Sequence, residues 1–203
     1  IEIITGMDDD RVADVLDNME PDDAADLLAH LPQDRSEQIL ELMDPEEAED
    51  VRFLLSYDPE TAGGLMSTEP IIVSAETTVA EALAMIRRTE ITPAMAAAVC
   101  VTLPPFESPT GKFLGIVHFQ RMLRYPPQTQ LGTILDVGAE PLRDNTELGD
   151  VARTFASYNL VSLPVVDSGG RLLGVVTVDD VLDHMLPDDW RNPYYENERT
   201  NGA

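Results

Sequence analysis

Hydrophobic periodicity changes at one place in this chain, Tyr57-Asp58-Pro59-Glu60-Thr61-Ala62-Gly63-Gly64-Leu65-Met66, and that change limits the fold more than any other feature. Before it, apolar residues recur every three to four positions; after it, they come in short runs broken by turns, the marks of helix and strand respectively. Gly63-Gly64 is the only glycine pair before residue 169, and paired glycines between two periodic segments suit a joint about which the parts swing. The pattern predicts an α+β multidomain chain. An all-α array of short helices over residues 1–62 leads into two strand-rich units over 66–126 and 133–187, and a polar, flexible tail over 188–203 follows.

In the first part, prolines punctuate the pattern at Met19-Glu20-Pro21, His30-Leu31-Pro32, Met43-Asp44-Pro45 and Tyr57-Asp58-Pro59. Proline suits a first helical position, and the flanking carboxylates suit the helix's positive end, so each proline is expected to start a helix. The apolar stripes are Val12, Val15, Leu16 and Met19; Ala24, Leu27, Leu28 and Leu31; Ile39, Leu40 and Met43; and Val51, Leu54 and Leu55. Helices of this length are marginal alone in water, so successive ones must stack into a superhelix. Their outer faces are acidic. Residues 1–57 hold 18 Asp or Glu against 3 Arg, a net of -15 out of -25 for the whole chain. That charge excludes a nucleic-acid partner, because phosphates need Lys and Arg. It favours a hard divalent cation placed between two carboxylate surfaces, Mg2+ or Ca2+ rather than zinc or copper, since no Cys/His cluster accompanies the acids.

The second part repeats one order, strand-helix-strand-strand-helix. The later copy runs from the helix at Glu147–Tyr158 (Leu148, Val151, Ala152, Phe155 on one face) through Ser162–Asp167, the turn Ser168-Gly169-Gly170-Arg171, Leu172–Thr177 and a last helix from Val178 to Leu186. The earlier copy has Ile71–Val73, Thr78–Arg88, Ala97–Leu103, Phe113–Val117 and Phe119–Arg124, with a longer turn at residues 104–111. Two such units predict a pseudo-twofold pair. Cys100 is alone in an apolar run, so no internal disulfide framework exists and a cytoplasmic setting follows. No run reaches the roughly 18 to 20 apolar residues of a membrane helix, so no direct membrane span is expected in this chain. The start at Ile1 reads as the middle of a pattern, which suggests an excised piece of a longer protein.

Leu163-Pro164-Val165-Val166-Asp167 followed by Gly174-Val175-Val176-Thr177-Val178-Asp179-Asp180 resembles the CBS domain, and the resemblance extends to both βαββα copies. Ala62-Gly63-Gly64-Leu65-Met66, set between an acidic helical array and a tandem CBS pair, is similar to the cytosolic region of the MgtE family of magnesium transporters. The resemblance implies a Mg2+-sensing regulatory region, homodimeric through its CBS pair. Cation-dependent docking of residues 1–62 on residues 66–187 would gate a transmembrane pore domain from the cytoplasmic face of the membrane. By that resemblance Glu60, Asp180 and Asp183 stand where the family places carboxylates near Mg2+; Asp180 and Asp183, three apart, share a helix face. Asn159 stands where the family often has an acid, so one site is expected to be lost or weakened.

CBS pairs also take adenine nucleotides such as ATP on a Gly-h-h-Thr-x-x-Asp run, and Gly174, Thr177 and Asp180 satisfy it, whereas the first copy reads Gly115, His118 and Arg121. His30, His118 and His184 are each read as structural or solvated. Pro187 and Pro193 oppose a continuous linker helix after residue 186, which suggests a soluble relative without the pore. The alternative function is therefore a stand-alone regulator that binds an adenine nucleotide and acts on a partner protein. An enzyme is not expected, for the chain carries no nucleophile-base pair, P-loop or Cys-His site.

Overall fold

The computed structural model describes residues 6–89, 91–136, 140–158 and 160–187. Asn159 and the tail beyond residue 187 lie outside the described residues. Four short helices come first: α1 (Asp9–Leu16), α2 (Pro21–Ala29), α3 (Gln33–Leu42) and α4 (Pro45–Leu55). Each buries one stripe, including Val12 and Leu16, Ala24 and Leu28, Ile39 and Leu40, and Val51 and Leu54. The main contacts run between alternate helices, α1 on α3 and α2 on α4, which winds the array into a superhelix. A side chain such as Leu28, 1% exposed, contributes about 2 kcal/mol by leaving water. Arginines tie the turns together: Arg35 Nε donates to Asp9 Oδ1 at 2.9 Å, and Arg52 Nη2 donates to the Leu40 carbonyl at 3.2 Å.

The prolines start helices as expected at Pro21 and Pro45, while Pro32 is itself the residue before α3. Pro59 starts none. It lies in a turn, where Asp58 Oδ1 accepts the Glu60 amide and the Asp58 carbonyl accepts Thr61 N. The Gly63-Gly64 joint also differs from a free hinge. Ala62 N and Gly63 N donate to the Thr146 and Asp144 carbonyls, both at 2.8 Å, and Leu148 N donates to the Glu60 carbonyl at 2.9 Å. A β-carbon on Gly63 would strike the Tyr57 ring, and one on Gly64 would strike the Asp58 carbonyl. The glycines therefore serve close packing, and the joint is stitched to the second repeat.

Each repeat is a three-stranded sheet with two helices. The first comprises β1 (Ile72–Val73), α5 (Val79–Ile86), β2 (Ala98–Thr102), β3 (Phe113–His118) and α6 (Phe119–Met122). The second comprises β4 (Leu142–Arg143), α7 (Leu148–Tyr158), β5 (Ser162–Val166), β6 (Leu172–Thr177) and α8 (Val178–Met185). In both, the short lead strand is parallel to the middle strand, which pairs antiparallel with the third. Element ends fall within a few residues of the sequence reading; Met95–Ala97, ahead of β2, is a 3-10 turn.

The repeats exchange edges. Ser67, on the way into the first repeat, bridges to Val175 of β6, and Asp136, on the way into the second, bridges to Ile116 of β3. Between the sheets lie Met95, Cys100, Ile116, Leu172 and Val175. Burial pushes the Cys100 thiol up to about 12, so it stays protonated and acts as core. The long β2–β3 turn crosses to the other repeat, where Ser108 Oγ donates to the Leu173 carbonyl and Thr110 N to the Leu172 carbonyl. One continuous core joins the superhelix, the joint and the second repeat through Leu28, Leu54, Leu65, Met66, Phe155 and Val181. Among the described residues, no helix is long and apolar enough to cross a membrane.

Candidate functional site

The continuous core brings α2 opposite α8. Pro21 opens α2, which puts Asp22 and Asp23 in its first turn, and Asp26 follows one turn later on the same side. Thr177 precedes α8, and the following turns carry Asp180, Asp183 and His184. A cavity of about 30 Å³ between the helices is lined by Asp22, Asp23, Asp26, Gly64, Leu65, Asp180, Asp183 and His184. Five carboxylates from two domains thus face one small space.

Asp22 is 9% exposed, and its Oδ1 is buried with no hydrogen-bond partner. Burial first, then Asp180, pushes its pKa up to about 8. An ionised carboxylate cannot be buried unpaired at low cost, so Asp22 keeps a proton or needs a cation. Burial likewise raises Asp180 to about 6, against the downward pull of its hydrogen bonds from Thr177. Thr177 N donates to Asp180 Oδ2 at 2.9 Å and Thr177 Oγ1 donates to the same oxygen at 2.6 Å. Asp26 is raised by burial and lowered by His184, whose Nε2 lies 3.7 Å from Asp26 Oδ2. His184 Nδ1 donates to the Asp180 carbonyl at 3.1 Å. Outside the cavity the acidic seam continues: Glu20 is raised by burial and by Asp23, Glu69 and Asp179.

The structure brings Asp180 and Asp183 together at this cavity, but Glu60, an exposed residue of the joint, does not line it. Gly174 and Thr177 are placed by packing and capping. A β-carbon on Gly174 would strike the Ser67 carbonyl, and Thr177, 5% exposed, caps α8. Asp22, Asp23, Asp26 and His184 went unselected in the sequence. The available signal was an acidic first turn with a further acid one turn on, which every helix of the array imitates. Among the described residues, no three His, Cys, Asp or Glu side chains converge into a ready-made metal centre. The donor set nevertheless suits a hard ion: all oxygen apart from one imidazole, with an orphaned buried carboxylate oxygen.

Residues 1–60 match the family described as the MgtE intracellular N domain, and residues 62–127 and 140–187 match the CBS domain. The crystal structure of the cytosolic domain of the Mg2+ channel MgtE in complex with ATP superposes with a TM-score of 0.78 at 31% identity, covering 90% of this chain and 73% of that one. The chain belongs to the MgtE family. A second crystal structure, of the soluble part of a magnesium transporter, gives a TM-score of 0.78 at 29% identity, over 94% of this chain and 72% of the other. The magnesium transporter MgtE of Thermus thermophilus is 35% identical over 134 residues, which is 66% of this chain and 29% of that protein. The chain spans about a third of the length of the curated relatives it matches. The α2–α8 cavity therefore lies between the chain's MgtE N domain and its second CBS copy.

Proposed function

We propose that this chain is a Mg2+-sensing regulatory region in which the cation holds the N domain against the second CBS copy and so biases a membrane Mg2+ pathway in the longer protein. The buried, partnerless Oδ1 of Asp22, facing Asp180 across the interdomain cavity, carries the reading. Asp22, Asp23 and Asp26 from α2 and Asp180 and Asp183 from α8 would hold the ion. Mg2+ keeps several of its waters, so carboxylates that do not converge on one point suit it better than they suit a dry, fully liganded metal. Bound there, the ion supplies the positive charge that lets these carboxylates ionise side by side. Without it, like charges across the seam oppose docking, and a ligand present only when the surfaces meet shifts the balance toward the docked form. Glu60 is left out of the proposed ligand set. The regulatory unit is a homodimer joined through its CBS pairs, at the cytoplasmic face of the membrane, and its role is regulatory rather than catalytic.

A second reading places an adenine nucleotide on Gly174, Thr177 and Asp180, favoured by the intact run in this chain and by ATP in the related cytosolic domain. It draws on Asp180, so nucleotide there and a cation in the cavity compete for one carboxylate. Small-angle scattering across a Mg2+ titration, against NaCl of equal ionic strength, tests the first reading. The wild-type chain should contract with Mg2+ alone, and Asp180→Asn with Asp183→Asn should respond only at higher Mg2+ while keeping its circular dichroism. No contraction, or the same contraction in NaCl, refutes cation-driven docking.

A further inference from the structure

The two CBS copies correspond residue by residue where the third strand meets the last helix. Gly115, Ile116, His118 and Arg121 stand where the second copy has Gly174, Val175, Thr177 and Asp180. The incoming bridges correspond too: Asp136–Ile116 in one copy mirrors Ser67–Val175 in the other. In the second copy the strand–helix corner is capped from within, by Asp180 on Thr177. The first copy has an arginine at that position, and its cap comes from outside. Asp136 Oδ2 accepts the His118 amide at 3.3 Å and lies 2.9 Å from His118 Nδ1, and Asp136 Oδ1 pairs with Arg121 Nη1 at 3.1 Å. Arg121 Nε donates to the Ile134 carbonyl at 2.7 Å, and Asp136 N to the Ile116 carbonyl at 2.8 Å. The acid has in effect moved from the helix to the incoming strand.

We propose that this exchange closes the first CBS copy to adenine nucleotides, with Asp136 as an internal stand-in that holds the corner in one arrangement without ligand. A nucleotide on the run needs a hydroxyl for phosphate and a carboxylate for ribose. Here the hydroxyl is replaced, the helix acid is absent, and the two side chains that could reach phosphate, His118 and Arg121, are already engaged by one carboxylate. Phosphate would have to evict Asp136, which is tethered beside its partners and competes at high effective concentration. The cluster also ties residues 131–136, which lead into the second copy, to β3. The relative placement of the copies is therefore set by the chain itself rather than by a nucleotide.

The test is ATP titration of the whole 203-residue chain in constant Mg2+, by calorimetry and by NMR of its three histidine side chains, His30, His118 and His184. The wild-type His118 signals should stay in place at ATP concentrations that saturate any binding. Binding at the second copy would move His184 instead, which shares α8 with Asp180. The variant His118→Thr, Arg121→Asp, Asp136→Ser gives the first copy the second copy's residues and should gain a binding event at least about tenfold tighter than any at that copy in wild type. A single Asp136→Ala change, which frees His118 and Arg121, should make His118 respond to ATP. A saturable His118 shift in wild type overturns the proposal, as does a folded triple variant without the new event; if the triple variant misfolds, the wild-type His118 readout alone decides. None of these readouts depends on whether Mg2+ drives docking.

Discussion

Replacing Asp22 by Asn keeps the shape of the side chain and removes its ionisation, which isolates the effect on which the docking model rests. With a pKa of about 8 in place of the ordinary 3.8, the buried carboxyl is held protonated at neutral pH. That costs the docked form roughly 4 kcal/mol at about 1.4 kcal/mol per pH decade. Asn removes this cost and leaves a neutral buried amide with one group unpartnered, a penalty of about 1–3 kcal/mol. The net is about 2 kcal/mol in favour of the cation-free docked form. For a chain of this size that corresponds to a rise of roughly 4–8 °C in Tm. Thermal melts followed by circular dichroism without divalent cation would measure it, and scattering would show a smaller Mg2+-induced contraction than in wild type. Asp22→Asn melting at or below the wild type without Mg2+, together with unchanged contraction on adding it, would refute the argument that a buried carboxylate opposes docking.

The pH dependence has a definite sign. Asp22 and Asp180 bind protons more tightly in the docked form, so without Mg2+ stability should be greatest at low pH. It should fall as pH rises from the ordinary 3.8 through about 6 and about 8; millimolar Mg2+ should flatten the curve, and melts across that range with and without the ion check both. Gly64→Ala should destabilise the chain by about 1–3 kcal/mol, because its β-carbon meets the Asp58 and Pro59 backbone rather than a movable side chain. Gly149→Ala, in the exposed first turn of α7 with only Arg153 Nη2 within reach at 3.9 Å, should instead stabilise by up to about 1 kcal/mol; denaturant unfolding of both variants separates the two roles of glycine.

The superhelix and the two βαββα repeats were legible because they rest on local periodicity. Leu148, Val151 and Phe155 share a helix face whatever lies above them, and the glycine-rich turn at 168–171 directs a hairpin by itself. Pro59 misled for the opposite reason. Its surroundings match those of Pro21 and Pro45, but the amides that would begin a helix are taken by Asp58, and the next residues bond to Asp144 and Thr146. The paired glycines likewise looked like a hinge, while the Tyr57 ring and the Asp58 carbonyl make them close-packing positions.

Asp180 and Asp183 were legible as a pair three apart on one helix, and their partners on α2 were not. By composition alone Asp22 is one of many carboxylates in the superhelix. The class of each segment, the duplication of the CBS unit and the acidic excess that favours a cation can all be read along the chain, because none depends on which distant segments meet. Which acids oppose one another depends instead on how α2 and α8 pack. Burial and charge repulsion at Asp22 belong to two surfaces together, and those surfaces meet because a core running from Leu28 through Leu65 to Val181 aligns helices at opposite ends of the described chain.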